Sequence, residues 1–154
     1  MDRQKILLPY NFSEQDQKAL EFVVQTFAHL EKAEVVLFNA YTPAPVISER
    51  EAPVMDKVQS SLRHLNNIIK EQEVLLENAK LHLLKNGFSK NRIHVFFRPK
   101  KKDIASQIIQ VVEDENTNII VLNRKSGRVG RFFTGSVFNK VVSALKNRTI
   151  CIVN

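Results

Sequence analysis

The chain has 154 residues, 44% of them hydrophobic and 25% charged, which is enough for one well-buried domain and too little for two. Its net charge is +7 and the basic excess lies late: residues 1–86 hold 10 Lys or Arg against 12 Asp or Glu, and residues 87–154 hold 13 against 4. No apolar run reaches the roughly 18 residues of a membrane span, the N-terminal MDRQKILLPYN lacks a cleavage site, and the single Cys151 cannot form an internal disulfide, so a cytoplasmic protein without redox chemistry is expected.

In chain order, KILLPYN and AEVVLFNAY are short apolar runs rich in strand formers. Between them SEQDQKALEFVVQTFAHLEK places Ala19, Phe22, Val23, Phe27 and Leu30 at helical spacing. Ser13 and Asp16 form a near capping box with Asp in place of the longer Glu or Gln, so the helix starts directly after the first strand. The proline-bearing TPAPVISEREAP leads into Val54, Val58, Leu62, Leu65, Ile69, Gln72, Leu76, Ala79 and Leu83, whose steps of four and three, alternating from Val58 onward, predict one long helix. Asn86 and Gly87 suit its C-terminal cap. Packing along a sheet accounts for that helix, and a coiled-coil arm is the rival reading because its length exceeds the usual globular range.

RIHVFFR then reads as a strand, DIASQIIQVVEDEN as a helix, NIIVLN as a fully apolar strand, SVFNKVVSALKN as a helix and TICIVN as a last strand, with Cys151 as a small buried residue in it. The order βαβαβαβαβ predicts a single α/β domain over residues 1–154: an open, mostly parallel five-stranded sheet of Rossmann-like type with helices on both faces. Ligands of such sheets bind beyond the C-terminal strand ends, near a switch in strand order.

The segment SGRVGRFFTGSVFNKVV follows the strand NIIVLN at that end and holds three of the chain's four glycines. Gly130 and Gly135 have the G-x4-G spacing of a P-loop, but Ser136 and Val137 stand where that motif needs Lys and then Ser or Thr, so no side-chain cation is fixed against the outer phosphates. Arg124, Lys125, Arg128 and Arg131 add positive charge to the same loop, and Phe132 and Phe133 fold back over the sheet edge or meet a partner subunit. The tract RPKKK is compact and unspecific; without a recognition helix or an RNA-binding aromatic motif it reads as a solvated loop rather than a nucleic-acid site. His29, His64, His82 and His94 show no metal-ligand spacing, and Ser136 lacks a G-x-S-x-G elbow, so no catalytic machinery is visible.

The architecture, KILLPYNFSE at the start, and NIIVLN followed by a glycine-containing loop and GSVFNKVV resemble the universal stress protein family over essentially the whole chain. The family loop reads G-x2-G-x9-G-S/T, with loop amides and the final hydroxyl holding phosphates at a helix start. The resemblance aligns Gly135 and Ser136 with the final pair and Asn123 and Ser126 with the first two glycines, eight residues rather than nine before the pair. An alternative alignment puts Gly127 and Gly130 at G-x2-G and leaves four residues before Gly135. By the same resemblance Asn11 stands where nucleotide-binding members carry a nucleoside-contacting aspartate, Ala40 offers backbone groups to adenine, Leu122 flanks the phosphate loop and Val137 follows it. Lys102 stands near a position where the family often has glycine. The resemblance implies a homodimer through residues 149–153 and ATP or another adenine nucleotide as a regulatory ligand; a slow ATPase is a third reading that nothing in the sequence favours. The alternative is an interaction protein of the same family that binds no nucleotide, with a structural loop at 123–136.

Overall fold

The computed structural model describes residues 2–46, 55–101, 103–123 and 130–154. Among the described residues nine main elements follow one another: β1 (Gln4–Pro9), α1 (Glu14–Phe27), β2 (Ala33–Tyr41), α2 (Met55–Lys85), β3 (Ile93–Pro99), α3 (Ile104–Asp114), β4 (Ile119–Asn123), α4 (Gly130–Ala144) and β5 (Thr149–Val153). The five strands form one parallel sheet in the order β3-β2-β1-β4-β5, as the strand–helix alternation predicts. The order reverses between β1 and β4: the chain builds outward from β1 to β3, then returns to the far side of β1.

Strand alternation divides the core between two faces. Ile6, Leu8, Val35, Leu37 and Val121 meet Ala19, Leu20, Val23 and Phe27 of α1 and Leu76, Ala79 and Leu83 of α2. Leu7, Val36, Phe38, Ile120 and Leu122 meet Ala105, Ile108, Val111 and Val112 of α3 and Val141 of α4. β1, β2 and β4 are therefore apolar on both sides, which is why they read as continuous apolar runs rather than alternating ones.

The caps follow the sequence signals. At Ser13 the hydroxyl accepts from the Asp16 amide while the Asp16 carboxylate accepts from the Ser13 amide, a complete capping box. α2 ends at Gly87, whose φ of 109° only glycine adopts freely, with the Phe88 amide donating 3.1 Å to the Leu83 carbonyl. Two expectations are corrected. α4 begins at Gly130, not at Ser136, so Gly135 and Ser136 lie in its second turn, where their amides fall within the helical ladder instead of forming its free end. Cys151 is half-buried rather than buried; partial burial pushes its thiol pKa up.

No described helix is long and apolar enough to cross a membrane.

Candidate functional site

A cleft of about 330 Å³ opens at the C-terminal ends of β1, β2 and β4, where the strand order reverses. Pro9, Tyr10 and Asn11 come from the end of β1, Phe38, Asn39 and Ala40 from β2, and Leu122 and Asn123 from β4. Ile104 and Ile108 of α3 and Val137 and Phe138 of α4 close its apolar side. Five sequence-predicted positions therefore converge here: Asn11, Ala40, Leu122, Asn123 and Val137. Ser126 and Gly127 lie outside the described residues, as does Lys102, and Gly130, Gly135 and Ser136 lie in the first turns of α4.

The Ala40 backbone is set for recognition by strand geometry alone. The Phe38 carbonyl accepts from the Tyr10 amide at 2.8 Å, so the even-numbered peptides of this stretch face β1; the Tyr41 carbonyl accepts from Lys100 on the other side. Two residues beyond Phe38, Ala40 directs its amide and carbonyl toward a strand that has already turned away at Asn11. That leaves a donor and an acceptor side by side at the cleft wall.

Asp16, which the sequence pattern marks only as part of a helix cap, is a residue of the cleft wall. It is 3% exposed, and its carboxylate accepts from the amides of Asn11 (3.2 Å) and Ser13 (3.1 Å), from the Ser13 hydroxyl (2.6 Å) and from the Asn123 side-chain amide. One buried carboxylate thus joins the β1–α1 turn to the end of β4, and the positive end of α1 supports its charge. The S-x-x-D box was legible; the Asn123 partner, 107 residues away, was not. Asn39 is likewise buried, and its amide donates to the Tyr10 carbonyl at 2.8 Å. Burial, with the nearby Asp16 charge second, raises the Tyr10 pKa. Next to it Phe12 holds a left-handed backbone at φ 62°, costly for an aromatic residue, and its ring meets Tyr10 edge-on at 5.4 Å.

Next in sequence to the cleft residue Ile104, Asp103 caps α3, accepting from the Ser106 amide and hydroxyl, both at 2.8 Å, and from Lys140 of α4 at 3.1 Å. These bonds hold its carboxyl at about 2, below its usual 3.8, the Ser106 amide contributing most. The folded pKa is depressed, so the capped, ion-paired state is fully present above about pH 4 and is lost as pH falls through 2. A carbon-detected NMR titration should place the Asp103 midpoint near 2 and show Ser106 amide shifts tracking it; a midpoint near 3.8 would contradict the cap.

A larger concavity of about 830 Å³ runs between α1 and α2, past Phe22, Leu75, Asn78 and the His82–Glu21 pair. It shares only Tyr10 with the strand-end cleft and is lined by α1 and α2 rather than by the strand ends where the order reverses, so its greater size does not make it the site.

Comparison with curated protein sequences gives no match. Among solved structures the chain is similar to the hypothetical protein MJ0577, a structural-genomics test case for assigning biochemical function, at 26% identity and a TM-score of 0.66 over 99% of this chain and 96% of that one. A universal stress protein in complex with cAMP matches at 17% identity and a TM-score of 0.66, covering 100% of this chain and 98% of that one. The universal stress protein from Archaeoglobus fulgidus in complex with dAMP matches at 15% and 0.61, with 100% of both chains covered. These two low identities speak for the fold. The model of the universal stress protein family matches residues 2–151, nearly the whole described sheet and its helices, and the chain therefore belongs to the universal stress protein family.

Proposed function

We propose that the chain is a cytoplasmic stress-response protein that binds an adenine nucleotide in the strand-end cleft as a regulatory ligand and dimerises through the β5 edge. The observation that carries the reading is the free donor and acceptor of Ala40 beside an apolar slot between Ile104, Ile108, Leu122 and Val137, a combination that suits the edge and faces of a purine. The nucleotide complexes of the two family members above support it. Asn11 at the mouth suits the sugar, and the loop after β4 together with the start of α4 the phosphates, ATP being the first candidate. β5 suits edge pairing because it ends the sheet and leaves Ile152 49% exposed.

The alternative, a family member that works through protein partners without a nucleotide, draws on two observations. The Asn123 amide is already committed to Asp16, and Gly135 and Ser136 lie inside α4 rather than at its start. Calorimetric titration with ATP and AMP separates the readings. Binding should be measurable at up to millimolar ligand, and Ala40→Trp, which fills the cleft, should weaken it at least about tenfold, or roughly 1.4 kcal/mol. Absence of heat at millimolar nucleotide sinks the nucleotide reading.

A further inference from the structure

α2 has more apolar repeat than its own sheet covers. Leu62, Ile69, Leu76 and Leu83 recur every seventh residue, with Val58, Leu65, Gln72 and Ala79 as the second set, a heptad seam that is apolar at every one of these positions but Gln72. Leu76, Ala79 and Leu83 sit in the α1–α2 core at 1, 4 and 0% exposure. Val58, Leu62, Leu65 and Ile69 are half-buried, flanked by exposed residues, and among the described residues belong to neither core. The geometry explains the division. A helix of 31 residues is about 46 Å long, whereas the longest strand, of 9 residues, spans about 30 Å. Leu75 and Asn78 already line the groove beside Tyr10 and Phe12, where β1 has ended, so the turns before them run on past the strand ends.

The charges mark which surface is left for a partner. Within residues 56–72 every ionisable residue, Asp56, Lys57, Arg63, His64, Lys70 and Glu71, falls on two of the three heptad positions directed away from the seam, the third holding Ser60 and Asn67. The positions flanking it, Gln59, Ser61, Asn66 and Ile68, are uncharged. Such a face meets an identical face without like-charge repulsion and offers no charge for selecting a different partner.

We propose that residues 55–72 of α2 pair with the same residues of a second copy as an antiparallel two-helix coil. A parallel pair would carry the partner helix along Leu76–Leu83, where this chain's own sheet lies. The antiparallel pair ends before it, seats Leu62 on Leu65 and Val58 on Ile69 of the second copy, and places Gln59 beside Asn66. The contact is separate from the β5 edge and does not depend on a nucleotide.

Light scattering on the full chain tests it. Leu62→Glu with Leu65→Glu should halve the particle mass while helical content is kept; an unchanged mass overturns the proposal. A second variant does not rely on destabilising anything: Val58→Cys with Ile69→Cys, in a Cys151→Ser background. The two new thiols are eleven residues apart on one helix, about 16 Å, and cannot join within a chain. Mild oxidation should give a covalent dimer on a non-reducing gel, and failure to form one also overturns the proposal.

Discussion

Asp16→Ala is expected to cost about 3 kcal/mol of stability. The carboxylate serves as one half of the α1 capping box and as the acceptor for the Asn11 and Ser13 amides and the Asn123 side chain. A lost cap costs about 1 kcal/mol, and hydrogen bonds to a charged group contribute about 1.5–3 kcal/mol, more when their buried donors are left without partners. For a chain of this size the corresponding fall in Tm is about 10 °C. Asp16→Asn keeps the shape but turns an N–H group toward donors, so it should lose roughly half as much. Urea unfolding monitored by far-UV circular dichroism checks both. A loss below about 1 kcal/mol for the alanine variant would mean that the carboxylate is not the clasp described here.

Phe38→Ala should be still more costly, about 4 kcal/mol, because truncating a fully enclosed ring leaves a cavity that a parallel sheet packed on both faces cannot collapse into. Phe38 is 2% exposed, packs in the α3–α4 core and also walls the strand-end cleft. Phe38→Leu, which keeps most of the volume, should lose about 1–2 kcal/mol. Urea midpoints that fall in this order with unchanged m-values would place the loss in packing; equal losses for the two variants would not.

Much of the fold was legible because it is written in local pattern. β1, β2 and β4 are apolar runs too short for helices, and α1 and α3 carry stripes at helical spacing. Ser13 and Gly87 punctuate the chain where backbone geometry demands it. The start of α4 was not legible, since glycine reads as a break although it costs a helix only about 1 kcal/mol, which tertiary packing readily offsets. Gly130 and Gly135 are thus taken into the helix, and the phosphate-loop alignment loses its expected frame at Gly135 and Ser136. For α2 the spacing was right and half of its burial was not: periodicity reveals that a face is apolar, not how far a sheet extends beneath it. In the cleft, Asn11, Ala40, Leu122, Asn123 and Val137 could be placed through the family resemblance, residue by residue. The Asp16–Asn123 contact and the buried Asn39 could not, because each depends on strands brought together from distant parts of the chain.

The uniform direction of the five strands also determines how the molecule carries load. The chain enters β1 at Gln4 at one pole of the sheet and leaves β5 at Val153 at the opposite pole, with β4 between the two strands. Tension applied at these two residues draws β1 and β5 past each other along their own axes. The ladders from Ile6–Ile119 and Leu7–Ile120 to the five β4–β5 register pairs are then loaded in shear, so that many hydrogen bonds must fail together rather than one by one. A sheet of the same strands with one terminal strand reversed would unzip instead.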